Sequence, residues 1–230
     1  MKKIVKLIPN LIILLVIIIA FNVCFSFNAV TTSTSSGAIY RGNTEKKTAC
    51  IMINVYWGTE YIEPILNILK DNDIKTTFFV GGYWVAKNTE TLLKIYNEGH
   101  EIANHGYNHK DHDKISESQN RDEILYNHKI VNQVLGIDMN LFAPPSGAYN
   151  SVTTKVANEL GYKTIMWSKD TIDWRDHDTG LIVSRATKNI QNGDLILAHP
   201  TENTVKALQQ IIDAYKKADI KLTTVSETIL

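Results

Sequence analysis

Two hydrophobic patterns alternate along most of this chain: short continuous apolar runs, and longer stretches in which apolar residues recur every three or four positions. The runs are typical of buried strands and the longer stretches of amphipathic helices. Seven strands are predicted at residues 49–54, 76–80, 101–104, 141–143, 163–167, 195–198 and 221–224. Helices are predicted between them, at 60–70, 91–97, 121–135, 181–189 and 204–217, and around Val152, Val156 and Leu160. This alternation indicates parallel β/α units.

The spacing of these units favours one architecture. They recur about every 26 residues, slightly less than in an eight-fold barrel. We therefore predict an α/β fold built as a distorted seven-stranded (β/α) barrel. An open doubly wound sheet is the alternative, but no glycine-rich phosphate loop follows the first strand.

A separate hydrophobic segment precedes this pattern. Three lysines within the first six residues stand before an apolar run at 11–27, which is typical of a secretory signal or a membrane anchor. We assign residues 1–28 to this segment, 29–44 to a flexible linker, and 45–230 to one folded domain. No clear Ala-x-Ala cleavage site follows the run, so both fates stay open. The domain is expected outside the cytoplasm, either secreted or anchored, with the membrane as a partner if the segment is retained.

The composition of the chain argues against several classes of protein. Lys+Arg and Asp+Glu number 24 each, so the formal net charge is zero and no basic excess favours nucleic-acid binding. An apolar fraction of 44% suffices to build a core, which excludes a fully disordered chain. Two cysteines, Cys24 and Cys50, are too few for a disulfide-stapled scaffold.

Polar residues stand where the predicted strands end. Asn54 ends the first strand, His105 and His109 follow the third, Asp173 follows the fifth, and His199 follows the sixth. Because the active sites of β/α barrels lie at the carboxyl ends of the strands, we expect these side chains at one rim.

The histidines suggest the chemistry of this rim. His105 and His109 are four residues apart and can bind one tetrahedral divalent ion from one side, although such pairs also occur as surface or capping residues. His199 is either a core histidine bonded to a backbone carbonyl or a general acid tuned by Asp173 or Asp170.

Several of these motifs resemble, in order, those of the polysaccharide deacetylases that share the NodB-homology domain (carbohydrate esterase family four). The similarity covers about residues 49–230. Its motifs are Thr-Thr-Phe-Phe-Val at 76–80, Gly-His-Glu-Ile-Ala-Asn-His at 99–105 and Asp-Trp at 173–174. The stretches 57–60 and 199–204 are most similar to the sporulation-associated branch. The distorted seven-stranded barrel that the resemblance implies agrees with the strand count above.

The resemblance implies metal-dependent hydrolysis of the amide of N-acetylated sugars. The implied partner is a glycan, either peptidoglycan or another N-acetylglucosamine polymer. By position it implies His105 and His109 as ligands of zinc or a similar divalent ion, His199 as the acid that protonates the leaving amine, and Asp173 as its orienting carboxylate. The residues that we assign to the substrate groove are Trp57, Trp174, Pro145 and Tyr149. An alternative interpretation of the two tryptophans is that they fill space at the rim of the barrel and do not contact a sugar.

The chain departs from the family pattern at positions that act together in catalysis. The base position holds Asn54, the adjacent metal-ligand position holds Val55, the position of the supporting arginine holds Ala143, and Gly106 replaces the usual Ser or Thr of the histidine motif. An amide cannot take a proton at neutral pH, and losing a positioned base typically slows a reaction about 10²–10⁴-fold. Two histidines are fewer than the three protein ligands usual in catalytic zinc sites, which weakens metal binding.

We therefore expect a deacetylase-like hydrolase of the cell envelope with weak or absent turnover. Asp111, Asp113 and Asp170 are the nearby carboxylates that could replace the base or the ligand. The alternative is a catalytically silent pseudoenzyme that binds glycan in the retained groove. A purely structural role has little positive support.

Overall fold

Residues 37–230 are the part of the chain that the structure, a computed structural model, describes. The predicted signal or anchor segment, 1–28, and the first half of the predicted linker lie outside these residues. Within 37–230, no helix combines the length and the apolar character needed to cross a membrane.

Eight strands occur within the described residues, and most of them coincide with an apolar run of the sequence. Their bounds are β1 Thr48–Val55, β2 Thr77–Val80, β3 Glu101–Asn104, β4 Leu141–Phe142, β5 Lys163–Thr164, β6 Lys169–Asp170, β7 Leu195–Ala198 and β8 Lys221–Leu222. The predicted fifth strand, 163–167, is therefore wrong beyond its first two residues, because β6 forms separately further along the chain.

The strands form one parallel sheet in the order β5-β4-β3-β2-β1-β7-β6, and β8 pairs with the start of β1. The seven-stranded path curls into a half-barrel, which confirms the predicted α/β fold. Because every pair is parallel, the carboxyl ends of the strands lie along one edge. Asn54 is in register with Phe79, and Asn104 with Phe142, so the ends of β1 to β4 are nearly level.

The side chains of β1 alternate between two apolar layers. Ile53 and Val55 belong to the large cluster that packs the sheet against the helices, whereas Cys50 and Met52 belong to a smaller cluster on the other face. Successive side chains of a strand point to opposite faces. Asn54 therefore shares the face of Cys50 and Met52, and Val55 faces the helices.

Eight helices within the described residues connect the strands and supply the outer layer. Their bounds are α1 Ile62–Asp71, α2 Gly82–Lys87, α3 Thr89–Asn97, α4 Glu117–Leu135, α5 Ser151–Glu159, α6 Thr179–Thr187, α7 Glu202–Lys217 and α8 Val225–Ile229. α7 buries Leu208, Ile211 and Tyr215, which recur at helical spacing on one face. α4 begins at a capping box. The Ser116 hydroxyl accepts from the backbone N–H of Gln119, and the Gln119 side chain accepts from the backbone N–H of Ser116.

Residues 37–44 pack against the domain, so the folded unit begins before the predicted boundary at 45. Ile39 forms a parallel bridge with Ile165, and Arg41 forms an ion pair with the buried carboxylate of Asp194. The Ser- and Thr-rich composition upstream predicted a linker here. Composition does not reveal that Ile39 and Arg41 have partners more than a hundred residues away.

Candidate active site

A cleft of about 260 Å³ opens at the carboxyl edge of the sheet. Side chains from the ends of several strands and from the loops that follow them form its walls. Among its lining residues are Asn54, Tyr56, His105, His109, Trp174 and His199. His105 and His109, which follow β3, thus meet the distant His199, which follows β7, in one cleft.

His105, buried directly after β3, has a defined ring orientation. Its Nδ1 lies 2.8 Å from the backbone oxygen of Ala143. A carbonyl oxygen only accepts hydrogen bonds, so Nδ1 carries the hydrogen and Nε2 keeps a free lone pair. Burial, together with the neighbouring His109, lowers the pKa of His105 well below its usual value. The ring is therefore neutral at physiological pH.

His109 stands on the far side of the same loop, with its backbone in the left-handed region at φ +55°. Its ring stacks on Tyr56, with ring centroids 3.5 Å apart and an interplanar angle of 23°. The centroids of His105 and His109 are 5.1 Å apart. Burial lowers the pKa of His109 to about 4. Both imidazoles thus offer neutral nitrogen to the cleft.

Buried polar side chains hold the loop between the two histidines. Glu123, only 3% exposed, accepts hydrogen bonds from the backbone N–H groups of Tyr107 at 2.9 Å and Asn108 at 2.6 Å. Gly106 lies at φ +71°, and a Cβ there would stand 3.3 Å from Nε2 of His112. A Ser or Thr at this position would be strained in this loop conformation, which accounts for the glycine.

His199 follows β7 and is bound to a buried carboxylate. Its Nδ1 lies 2.9 Å from Oδ1 of Asp173, and its backbone N–H donates to Oδ2 at 2.8 Å. The hydroxyl of Thr204 donates to the same carboxylate at 2.6 Å. Burial alone would raise the pKa of Asp173, but the bonds from His199 and Thr204 hold that pKa below its usual value. Asp173 is therefore ionised, Nδ1 of His199 donates to it, and Nε2 is the free ring nitrogen.

One tryptophan packs on His199, and another lines the cleft. Trp57 stacks on the His199 ring with centroids 5.4 Å apart and an interplanar angle of 30°. Trp174 lines the cleft and is 55% exposed, so its ring is available to a ligand. Asp170 also lines the cleft, and its Oδ1 accepts the backbone N–H of Ile172 at 2.9 Å.

Three of the four positions at which the resemblance implies a departure from the family pattern lie in different surroundings. Asn54 lines the cleft, is 3% exposed, and its Oδ1 has no hydrogen-bond partner among the described residues. Ala143 is fully buried in the cluster that contains Cys50 and Met52. Val55 is fully buried in the helix-facing cluster and does not line the cleft. Only Asn54 of these three side chains meets the cleft.

The donor groups at the cleft are too few for the metal site that the resemblance implies. Among residues 37–230, no group of three or more His, Cys, Asp or Glu side chains is placed to hold a metal ion. His105 and His109 provide two imidazole nitrogens, whereas catalytic zinc sites use three protein ligands. Asn54 adds a neutral amide oxygen, which zinc rarely selects. The residues present therefore do not fit a catalytic zinc site.

Three of the four residues assigned to the substrate groove lie outside the cleft lining. Trp57 packs on His199, Pro145 is buried, and the Tyr149 hydroxyl is hydrogen bonded to the Tyr40 hydroxyl at 2.6 Å. They all follow strand ends in the sequence, but the direction in which a loop turns decides which side chains reach the cleft. Tyr56 is one of several lining residues that sequence reasoning missed. The signal for Tyr56 was an aromatic side chain two positions after Asn54.

A second cleft of about 420 Å³ adjoins the first. Tyr56 and His109 line both clefts, so the stacked pair of rings borders each of them. Tyr83, 52% exposed, and Tyr107 are among the other aromatic residues of the second cleft.

A profile of the polysaccharide deacetylase family matches residues 41–165 of this chain. The uncharacterized protein YlxY of Bacillus subtilis is 38% identical over 189 residues, which cover 82% of this chain and 59% of YlxY. The chain therefore spans less than two thirds of that relative. A peptidoglycan-N-acetylglucosamine deacetylase of Bacillus cereus is 34% identical over 175 residues, which cover 74% of this chain and 82% of the enzyme.

Solved structures extend the likeness to the fold. BA3943, a pseudoenzyme of carbohydrate esterase family 4 from Bacillus anthracis, superposes with a TM-score of 0.83 and 35% identity, covering 85% of this chain and 70% of that one. A BA3943 mutant with restored enzymatic activity gives the same TM-score at 33% identity, covering 85% and 72% of the two chains. With the profile match and the deacetylase relative, these likenesses establish that the chain belongs to the polysaccharide deacetylase family.

Proposed function

We propose that this chain binds N-acetylated cell-wall glycan in the cleft and hydrolyses its acetamide groups slowly or not at all. The observation that carries the proposal is Asn54, an amide in the cleft at the end of β1, where the family resemblance implies a carboxylate base. On this view the cleft retains the groups that hold a sugar and protonate its nitrogen. The group that would activate water is absent.

The surroundings of His199 support protonation of a leaving amine. Hydrolysis of an acetamide requires a proton on the nitrogen as the C–N bond breaks, and a positioned histidine supplies it efficiently. Asp173 binds Nδ1 of His199, which leaves Nε2 to deliver that proton. A buried carboxylate in this position orients the imidazole and stabilises its protonated form.

Hydrolysis also requires a base that takes a proton from the attacking water, and the cleft offers no base placed as well as His199 is for the acid. Asn54 cannot take a proton at neutral pH. Asp170 is a carboxylate in the lining, but it stands on β6, beside β7 and therefore on the side of His199, and one of its oxygens holds Ile172. Loss of a positioned base slows a reaction about 10²–10⁴-fold. We infer a turnover at least that far below that of an active relative.

The comparisons support a glycan as the ligand. The Bacillus cereus relative is a peptidoglycan-N-acetylglucosamine deacetylase, and the Bacillus anthracis relative of the same family is a pseudoenzyme. Exposed aromatic rings such as Trp174 and Tyr83 suit the apolar C–H faces of sugars. Because the two clefts adjoin at Tyr56 and His109, the surface that they form together suits a polymer better than a single sugar.

The location of the protein is part of the same proposal. A lysine-rich start followed by the apolar run at 11–27 supports export, with residues 1–28 as a signal or an anchor. Peptidoglycan lies outside the cytoplasmic membrane, so a glycan ligand and an exported domain are consistent with each other. A role in sporulation rests on the motif similarity of 57–60 and 199–204 alone.

The test measures binding and turnover on the same purified full-length chain. Calorimetry with a hexamer of N-acetylglucosamine is expected to show binding. Acetate release from that hexamer and from peptidoglycan, with added Zn²⁺, is expected to stay at the level of a His199→Ala control. Absence of binding would contradict the glycan proposal. Turnover well above the control would contradict the proposed loss of catalysis, and its disappearance in Asp170→Asn would identify that carboxylate as the base.

A further inference from the structure

Residues 37–44, which we call the strap, supply backbone hydrogen bonds where the sheet provides none. β5 ends at Thr164 and β6 begins at Lys169, so the backbone between them lies outside the regular strands. Ile39 of the strap donates its N–H to the Thr164 carbonyl at 2.9 Å, and its own carbonyl accepts the N–H of Met166 at 2.8 Å. The strap therefore takes the place of a neighbouring strand for the end of β5 and the residues that follow it.

A second contact of the strap acts through Asp194. Arg41 forms an ion pair with this fully buried carboxylate. The same oxygen, Oδ1, accepts the Ser168 hydroxyl at 3.2 Å, and the Lys169 ammonium lies 3.6 Å from Oδ2. Breaking a buried ion pair leaves a charge without its partner, so the position of Asp194, and of Ser168 with it, depends in part on Arg41.

Trp167 lies between these two contacts and lines the cleft. Of its two neighbours in the chain, one is bound by Ile39 and the other by Asp194. The ring lies against the loop after β4, since a Cβ on Gly147 would stand 2.8 Å from Cη2 of Trp167. The ring and Ile39 also pack against the same inner apolar cluster. The strap thus holds the backbone on both sides of a residue of the cleft wall.

We propose that Ile39 and Arg41 are positioning residues that hold Trp167 in the wall of the cleft. Neither side chain lines the cleft itself, so both act through the residues that flank Trp167. A side chain that is fixed before a ligand arrives loses less conformational freedom on binding, so a fixed wall raises the affinity. The effect on affinity rests on the proposed glycan binding, whereas the effect on Trp167 does not.

Fluorine NMR of the full-length chain labelled with fluorotryptophan tests the position of Trp167 directly. The chain has four tryptophans, and Trp167→Phe identifies the resonance of interest. Trp84, in the helix-facing cluster, is the internal reference. In Arg41→Ala the Trp167 resonance is expected to shift or broaden while the Trp84 resonance stays in place. Arg41→Lys keeps the charge and should restore most of the wild-type resonance. Lys47→Ala, the matched control, removes an exposed ion pair with Asp219 and should change neither resonance.

Calorimetry with a hexamer of N-acetylglucosamine measures the effect on binding in the same variants. Arg41→Ala is expected to bind the hexamer about two- to tenfold more weakly than the wild-type chain, because binding then has to order a loosened side chain. Arg41→Lys should bind nearly as the wild type does.

Two outcomes would overturn the inference: a Trp167 resonance that is unchanged in Arg41→Ala, or one that changes equally in Lys47→Ala. A shifted Trp167 resonance with unchanged hexamer affinity would overturn the effect on binding. Absence of hexamer binding by the wild-type chain would overturn the proposed function and leave the NMR test valid.

Amide hydrogen exchange of the wild-type chain tests the strap without any variant, which matters if Arg41→Ala does not fold. The N–H of Met166 donates to Ile39, whereas the N–H of the preceding Ile165 donates to Phe142 of β4 at 2.8 Å. We expect both amides to be protected to a similar degree. Free exchange at Met166 beside a protected Ile165 would show that the strap does not hold this backbone, which overturns the inference.

Discussion

Asp173 holds His199 by two different atoms: one carboxylate oxygen accepts the ring Nδ1–H at 2.9 Å and the other accepts the backbone N–H at 2.8 Å. The ring and the start of the loop after β7 are thus fixed by one buried group. The hydroxyls of Thr201 and Thr204, at the start of α7, donate to the same carboxylate. The contact therefore supports the fold as well as the orientation of the acid.

This relationship predicts a pH-dependent loss of stability in Asp173→Asn. The hydrogen bonds from His199 and Thr204 lower the pKa of Asp173 in the folded state despite its burial. Its stabilisation is therefore fully present above the unfolded pKa of about 4 and is lost as the pH falls through the lower folded value. Urea unfolding should show a deficit of about 1–3 kcal/mol at pH 7. The deficit should shrink below about pH 4. A deficit that is equal at pH 7 and pH 3 would contradict this account.

Asp194 forms a buried charge cluster directly before β7, at the amino end of that strand. Its carboxylate pairs with Arg41 and accepts from the Tyr215 hydroxyl at 2.8 Å, while the Lys169 ammonium lies 3.6 Å away. Asp194→Ala leaves these cations without their partner, so we expect a loss of about 3–5 kcal/mol in the free energy of unfolding.

The matched control for Asp194 is Asp219→Ala. That carboxylate pairs with Lys47 at 2.6 Å, but its side chain is 84% exposed. Exposed pairs contribute about 0–1 kcal/mol, so urea unfolding should barely change. Similar losses in the two variants would show that residues 37–44, which carry Arg41, do not belong to the folded core.

Val55→Asp is predicted to destabilise the protein without adding a ligand to the cleft. Val55 is fully buried in the helix-facing cluster, where an aspartate would be an unpaired charge. We expect a loss of about 3–5 kcal/mol in thermal or urea unfolding, with no gain in Zn²⁺ affinity by calorimetry. Tighter Zn²⁺ binding by a stable Val55→Asp variant would show that the loop after β1 turns this side chain into the cleft.

The strands show why part of the fold could be read from the sequence. Residues 195–198 form a continuous apolar run between Asp194 and His199, and β7 has those bounds; β3 also has the predicted bounds, 101–104. The run at 163–167 has the same appearance, yet Ile165 pairs with Ile39 and the chain leaves the sheet. That pairing joins residues far apart in the sequence, so no local pattern could have revealed it.

Two short helices were missed for a different reason. α2 has six residues and α8 has five, too few for an apolar period to appear. α2 is stabilised by tertiary contacts, since Trp84 is buried and its indole N–H donates to the Gly58 carbonyl at 2.7 Å. Helices of this length depend on such contacts rather than on intrinsic propensity.

The cleft was predictable where strand geometry decides it and not where loops decide it. The meeting of His105, His109 and His199 follows from the parallel order of the strands, because their carboxyl ends share one edge. Alternation along β1 also implies that Asn54 and Val55 face opposite ways, a signal that was available in the sequence. Trp57 and Tyr149 depend on loop paths, which the sequence pattern does not specify.

The most direct test of the central claim is acetate release from an N-acetylglucosamine hexamer by the full-length wild-type chain and by an Asn54→Asp, Ala143→Arg double variant. Both are assayed with Zn²⁺, and thermal unfolding monitors the fold, since Ala143 is fully buried. The account predicts wild-type release no faster than that of His199→Ala, and a rise of about 10²-fold in the double variant as a base returns to the cleft. Robust release by the wild-type chain, or no rise in a folded double variant, would contradict it.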